Sequence, residues 1–188
     1  SHELRNPLAV IRANLDVVLG DPKTTLEEFR LSGEVASRAA IRMSALVDDL
    51  LLLAYHEKRD THREPTLLSQ VAIETVEDFS AFAKKNNVVL RIDMTPEIKV
   101  IGDAAALRRA LANLLSNAIR VVGSGGEVRV LGGQDTEQVW VSVEDNGPGL
   151  SAEDLDRVFQ RFWKGQGTGA KESGRSGLGL AIVRQIVE

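Results

Sequence analysis

The sequence predicts an α+β chain, with an antiparallel helical hairpin first and a larger α/β unit after it. Three observations carry this. Apolar residues between Leu4 and Ala54 recur at alternating spacings of four and three, the seam of packed helices. The pattern stops at a polar run, His56 to Glu64, closed by Pro65. Beyond that run, helical periodicity alternates with short stretches of apolar/polar alternation.

The first seam is Leu4, Leu8, Ile11, Leu15 and Val18, ended by Gly20-Asp21-Pro22. Pro7 should kink this helix, because it lacks a donor and crowds the Glu3 carbonyl. Thr24 or Thr25 caps the second helix, with Glu27 and Glu28 in its first turn. Its seam is Phe29, Gly33, Ala36, Ala40, Met43, Val47, Leu50 and Ala54. Leu46, Leu50, Leu51 and Leu53 cover more than one face, so one hairpin cannot bury them all. Two copies forming a four-helix bundle would. Packing of the hairpin on its own second domain is the alternative.

We place domain limits at 1–58 for the hairpin, 59–66 for a linker and 67–188 for the α/β unit. His56 and His62 lie in or beside the linker without metal-ligand spacing and read as solvated. Thr66 to Leu68 is a short strand candidate, and Ser69 caps a helix to about Lys85 with Ala72, Val76, Phe79, Phe82 and Ala83 on its apolar face. Asn86-Asn87 turns the chain into strands at Val88–Met94 and Ile98–Ile101. Asp103 caps a long helix carrying Leu107, Leu111, Leu115 and Ile119. Strands at Glu127–Leu131 and Val139–Val143 follow as near neighbours. Ser151 caps a helix from Ala152 to Phe162, a loop runs from Gly165 to Ser176, and a last helix from Leu178 to Glu188.

Composition narrows the function. The chain has 188 residues, 43% hydrophobic, with a net charge of −4, which suits one domain with a helical appendage. No basic block stands out, which argues against a nucleic-acid partner. Absence of cysteine excludes disulfides and thiolate metal sites. The longest apolar runs, such as Leu50 to Tyr55, are too short to span a bilayer, and no signal peptide is visible. The chain opens at Ser1 inside a motif, and we expect it to be an excerpt of a longer protein.

Five stretches carry chemistry. In Ser-His-Glu-Leu-Arg-Asn-Pro, Asn6 lies one helical turn from His2. In Asn-Leu-Leu-Ser-Asn-Ala, Asn113 and Asn117 share a helical face, with Arg120 a turn on. Two amides so placed suit a hard cation that keeps its waters and is otherwise held by phosphate, although a plain polar face looks the same. Asp145-Asn146-Gly147-Pro148-Gly149 puts a carboxylate at a strand end, able to accept from an exocyclic amine, beside glycines that allow close approach. It is also strong turn chemistry. Phe159, Phe162 and Trp163 precede a glycine-rich loop as lid anchors or as ordinary core. Lys164, Lys171 and Arg175 offer cations to phosphates or to solvent. Finally, Gly174 to Leu180 opens the last helix, where bare backbone amides cradle phosphate. It is neither a Walker loop nor a dinucleotide fingerprint.

Together, in this order and spacing, these motifs closely resemble the catalytic core of sensor histidine kinases of two-component systems, over almost the whole chain. The resemblance implies an α/β sandwich ATP-binding domain of the histidine kinase, topoisomerase and chaperone ATPase type. It is truncated at its C-terminus, since closing strands of that fold would follow the last helix. It implies autophosphorylation of His2 by ATP, with Glu3 assisting, then transfer to an aspartate on a response regulator receiver domain. Asn6 matches the position used in dephosphorylating that partner. Asn117, with Asn113 beside it, would hold Mg²⁺, Asp145 would read adenine, and Gly147, Gly149, Gly177, Leu178 and Gly179 would shape the pocket. Arg120 sits where the family often has Lys, and Lys164 would meet phosphate. Val121-Val122 and Trp163 depart from the common pattern. The resemblance further implies a homodimer and a cytoplasmic domain of a parent anchored in the bacterial inner membrane. Two rivals are a dimerising, regulator-docking module with a non-catalytic ATP domain, and an ATPase of this fold that uses ATP for conformational change.

Overall fold

The computed structural model describes residues 2–55, 63–165 and 176–188, with only the backbone of His2 and Tyr55. The sequence-stretches at His56, His62, Lys171, Gly174 and Arg175 lie outside the described residues. The chain forms two compact units, a helical hairpin and an α/β unit.

In the hairpin, α1 (His2–Gly20) runs through Pro7 and α2 spans Leu26–Tyr55. The turn between them is locked by Asp21, whose side chain accepts from the Lys23 N–H at 2.9 Å and whose carbonyl accepts from Thr24. Thr25 caps α2 through a reciprocal box. Its hydroxyl accepts from the Glu28 N–H at 3.3 Å, while Glu28 accepts from the Thr25 N–H and hydroxyl, each at 2.8 Å. The backbone bond first, then the hydroxyl, holds the Glu28 carboxyl below its usual range.

The hairpin splits the two sequence seams. Leu4, Ile11 and Val18 turn inward, as do Ala36, Met43 and Leu50. The other inward row of α2 is Ser32, Ala39, Leu46 and Leu53, with the Ser32 hydroxyl donating across the hairpin to the Asn14 carbonyl at 2.7 Å. Leu8, Leu15, Phe29, Gly33, Ala40, Val47 and Ala54 remain exposed. Each helix therefore keeps an apolar row exposed beside the positions that it fills within the hairpin. No described helix is long and apolar enough to cross a membrane.

The α/β unit has two ladders. β1 (Glu64–Leu67) pairs antiparallel with β3 (Lys99–Gly102), Glu64 opposite Gly102. The strand expected from Thr66 thus begins at Glu64, inside the range read from sequence as linker. The larger sheet has the order β2-β4-β5. β2 (Val89–Met94) runs parallel to β4 (Glu127–Gln134), and β5 (Val139–Asp145) runs antiparallel to β4. On one face lie α3 (Leu68–Lys85) and α4 (Ala104–Val122), whose Val76, Ala83, Leu115, Ala118 and Ile119 meet Val128 and Val130 in the core. Leu115 is fully buried, a position where truncation to Ala costs roughly 2–5 kcal/mol.

Two expectations on helix starts and ends need correction. Ser69 does not cap α3. Leu67, the last strand residue, occupies the cap position with no side-chain bond, and the Ile98 carbonyl accepts from the Leu68 N–H at 2.8 Å instead. A neighbouring backbone has done the work of the cap, which leaves Ser69 free to be buried. Ser151 does cap α5, its hydroxyl accepting from the Asp154 N–H at 3.1 Å. Yet α5 covers only Ala152–Leu155, not the stretch to Phe162. Beyond it the backbone bonds span three residues rather than four, and Phe162 has φ of +65°. Leu155 and Phe159 stay exposed, so no apolar face holds a longer helix together. Asp103 caps α4 as expected, accepting from Ala105 and Ala106 N–H at 2.8 and 3.1 Å. α6 spans Gly179–Val187.

Candidate active site

Two of the stretches singled out in the α/β unit close onto α4, Gly179 against Asn113 and Gly147 against Val121. Asn113 and Asn117 are half-buried on one face of that helix. The Asn113 amide nitrogen is buried without a hydrogen-bond partner. A buried donor left unpaired costs about 1–3 kcal/mol, so such an atom is retained where something else will accept from it. Gly179, the first residue of α6, backs directly onto this side chain. A Cβ there would lie 3.2 Å from Asn113 Oδ1 and 3.4 Å from its Cγ. The glycine thus keeps the amide in place by giving it room.

At the end of β5, the Asp145 carboxylate accepts from the Gly147 N–H at 2.9 Å. A Cβ on Gly147 would sit 2.7 Å from Asp145 Oδ1 and 3.0 Å from Val121 Cγ1, so this glycine lets the strand end close onto α4. Gly149 has φ of +72° with nothing within 4 Å of a Cβ. Sequence reasoning passed over Asn146. Its side chain accepts from the Glu127 N–H at 2.8 Å and its own N–H reaches the Glu127 carbonyl at 3.2 Å. It extends the β4–β5 ladder by one rung and so fixes where Asp145 stands. Only its place in the turn hinted at that.

The helix start after Ser176 is held by an unusual junction. Phe162 N–H donates to the Gly177 carbonyl at 2.8 Å. Gly177 has φ of +68°, and a Cβ on it would lie 2.7 to 2.8 Å from Phe162 and Trp163 backbone atoms. Phe159 and Phe162 are 44% and 41% exposed, so they are not the ordinary core that was one of their two readings. Leu178 is wholly buried and packs as core. Lys164 is exposed. Arg120, placed among the phosphate contacts from sequence, stands with its guanidinium carbon 5.7 Å over the Phe82 ring.

In the hairpin, His2 opens α1 and Asn6 is exposed one turn on, with Glu3 half-buried. No group of three or more His, Asp or Glu side chains suited to a metal occurs among the described residues. A cation held by few protein ligands would draw on amide oxygens and on its ligand's own phosphates. Asn113 and Asn117 fit that donor set, since Mg²⁺ keeps several waters and takes few protein oxygens.

Two family profiles match the chain. Residues 1–59 match the His Kinase A (phospho-acceptor) domain, and residues 102–188 match the histidine kinase-, DNA gyrase B- and HSP90-like ATPase. Among curated relatives, the probable sensor histidine kinase TcrY of Mycobacterium tuberculosis is 38% identical over all of this chain and 39% of its own length. The signal transduction histidine-protein kinase/phosphatase MprB of Mycolicibacterium paratuberculosis is 35% identical, over 99% of this chain and 36% of its own length. A solved mycobacterial MprB shares 32% identity with a TM-score of 0.57, over 66% of this chain and 78% of that one. The Acinetobacter baumannii histidine kinase AdeS superposes with a TM-score of 0.75 at 25% identity, over all of this chain and 86% of that one. The chain spans about two fifths of the length of the curated relatives it matches.

Proposed function

The chain belongs to the sensor histidine kinases of two-component systems, and from that we propose that it is the catalytic core of such a sensor: it binds Mg-ATP, phosphorylates itself on His2 and passes the phosphoryl group to an aspartate of a receiver domain. The observation that carries the ATP site is the buried, unpartnered Asn113 amide held against Gly179.

The residues divide the work as follows. The exposed Asp145 carboxylate oxygen not used by Gly147 accepts from the adenine amine. Asn113 donates to the nucleotide. Asn117 offers its amide oxygen to Mg²⁺, which neutralises charge on the phosphates. The backbone amides at Gly177 and Gly179, at the start of α6, face phosphate oxygens, with Leu178 anchoring them in the core, and Arg120 and Lys164 supply cations. Such a site needs positioning and charge more than covalent work. The nucleophile is the neutral imidazole of His2, whose unprotonated nitrogen attacks the γ-phosphorus as the bond to the β,γ-bridging oxygen breaks and ADP leaves. Glu3 takes the hydrogen bond from the other nitrogen, fixing the tautomer and stabilising the charge that forms there.

In the opposing hydrolytic reaction, Asn6 orients a water toward the partner's acyl phosphate, so that the acyl–phosphate bond breaks and inorganic phosphate leaves. Asn6→Ala should leave autophosphorylation within about twofold of wild type and slow partner dephosphorylation by about 10²-fold, the scale of losing one positioning contact. A rapid-quench assay of both reactions checks this, and equal losses in both would make Asn6 merely structural.

The exposed rows Leu8 and Leu15 on α1, with Phe29, Gly33, Ala40, Val47 and Ala54 on α2, are the faces through which two hairpins form a four-helix bundle. Leu15→Glu with Val47→Glu should raise the dimer dissociation constant by at least about a hundredfold, given roughly 2–5 kcal/mol per large apolar side chain lost from a core. Sedimentation equilibrium reads this directly, and a wild-type monomer would overturn the bundle. We take the phosphotransfer hairpin as 1–58, the linker as 59–66 and the nucleotide unit as 67–188, with the strand from Glu64 extending that unit into the linker range. A cytoplasmic position in a membrane-anchored parent fits both substrates.

The deciding experiment is transfer of γ-³²P from ATP to the full-length protein, with His2→Gln alongside. Acid-labile, alkali-stable label absent from the variant establishes a phosphohistidine. ATP bound without any label would favour a regulator-docking module instead.

A further inference from the structure

We propose that Phe82 is a resting partner of the Arg120 guanidinium, and that nucleotide phosphate competes with this ring for the cation. Phe82 would then set the strength of ATP binding without touching ATP. The inference rests on the reading above that Arg120 serves the phosphates.

Arg120 shares the helical face of Asn113 and Asn117, one turn further along α4. Its guanidinium nevertheless lies 5.7 Å over the centroid of Phe82, a residue of the neighbouring helix α3. The ring is not a casual neighbour. Phe82 is half-buried and packs against the core. It meets Phe79 edge to face, with centroids 6.1 Å apart and planes at 86°. That geometry fixes the ring and leaves its electron-rich face toward the cation. A planar, weakly hydrated guanidinium stacks on such a face better than an ammonium does. Phosphate oxygens bind it more strongly, through paired charge-assisted hydrogen bonds. Two positions of one side chain then compete, and the apparent affinity for ATP falls by the fraction of molecules in which the cation is engaged on the ring. An exposed cation–π contact is worth enough to make this about two- to fivefold.

The test is equilibrium binding of ATP and of adenosine to the full-length protein. Phe82→Leu should tighten ATP by about two- to fivefold, and Phe82→Trp, a better cation partner, should weaken it. Adenosine, which has no phosphate, should bind all three alike. In an Arg120→Gln background, Phe82→Leu should change ATP affinity no further. Leu and Trp variants that both weaken ATP, or an unchanged Phe82→Leu effect without Arg120, overturn the proposal and leave Phe82 as packing. Arg120→Gln with wild-type ATP affinity removes its premise and overturns it too. The wild type separates these results from failure of the ATP site itself. A protein that binds no ATP would sink the functional reading, whereas one that binds ATP regardless of Phe82 sinks only the competition.

Discussion

Asn117→Asp is expected to cut ATP-dependent labelling of His2 by roughly 10²–10³-fold, the range seen when one preorganised electrostatic contact is lost. The two side chains have the same shape, so the core around Leu115, Ala118 and Ile119 should not respond, and thermal unfolding of the variant should match wild type. What changes is charge. A carboxylate could hold Mg²⁺ by itself, but on the proposed reading it would also face the phosphates that would supply the metal's other ligands. Losing a neutral hydrogen bond costs only about 0.5–1.5 kcal/mol. Two like charges about 4 Å apart at an effective dielectric near 20 cost about 4 kcal/mol. Repulsion therefore dominates, and added Mg²⁺ should restore only part of the rate. Asn113→Ala should behave differently. It removes an unpaired buried donor, so the fold should be as stable or slightly more stable while ATP binding weakens. Labelling by Asn117→Asp within about threefold of wild type would falsify the metal assignment.

Much of the local structure around the candidate site was readable because its signals are local. Asp103 and Ser151 cap helices through side chains that bond within three residues, and a capping box needs only Thr25 and Glu28. Amides four apart on α4 share a face in any straight helix. What the sequence hid depends on partners distant in the chain. Ser69 looked like a cap because the competing acceptor, the Ile98 carbonyl, comes from another segment. The α2 seam through Phe29, Gly33, Ala40, Val47 and Ala54 is real as a pattern, yet the hairpin fills the neighbouring row of Ser32, Ala39, Leu46 and Leu53. A heptad in a helix that serves two interfaces cannot say which row goes where. Arg120 on Phe82 was equally out of reach, since nothing in the order of residues reports that α3 lies beside α4 at that level. The helix expected to reach Phe162 failed for a different reason. Its apolar residues have the right spacing, but Leu155, Phe159 and Phe162 stay exposed.

The same junction gives the second large effect. Gly177→Ala should weaken ATP binding by about 10- to 100-fold and lower the unfolding temperature, whereas Gly149→Ala should cost only a few-fold. Both glycines have positive φ, at +68° and +72°, and an L residue pays about 1–3 kcal/mol to hold that conformation. Strain alone would make the two variants alike. They differ in surroundings. Nothing lies within 4 Å of a Cβ on Gly149, while one on Gly177 meets Phe162 C at 2.7 Å, Phe162 Cα at 2.8 Å and Trp163 O at 2.8 Å. Those are backbone atoms, which cannot swing aside as a side chain would. Relief requires the Phe162 N–H bond to the Gly177 carbonyl to lengthen or break. Phe162 is itself left-handed at +65°, so the junction has no slack to absorb the shift. The displacement passes straight into Leu178 and Gly179, which start α6 beside Asn113. Fluorescent-nucleotide displacement on both variants, with thermal unfolding in parallel, separates the two cases. If Gly177→Ala binds ATP as Gly149→Ala does, the clasp at Phe162 has no part in shaping the nucleotide site.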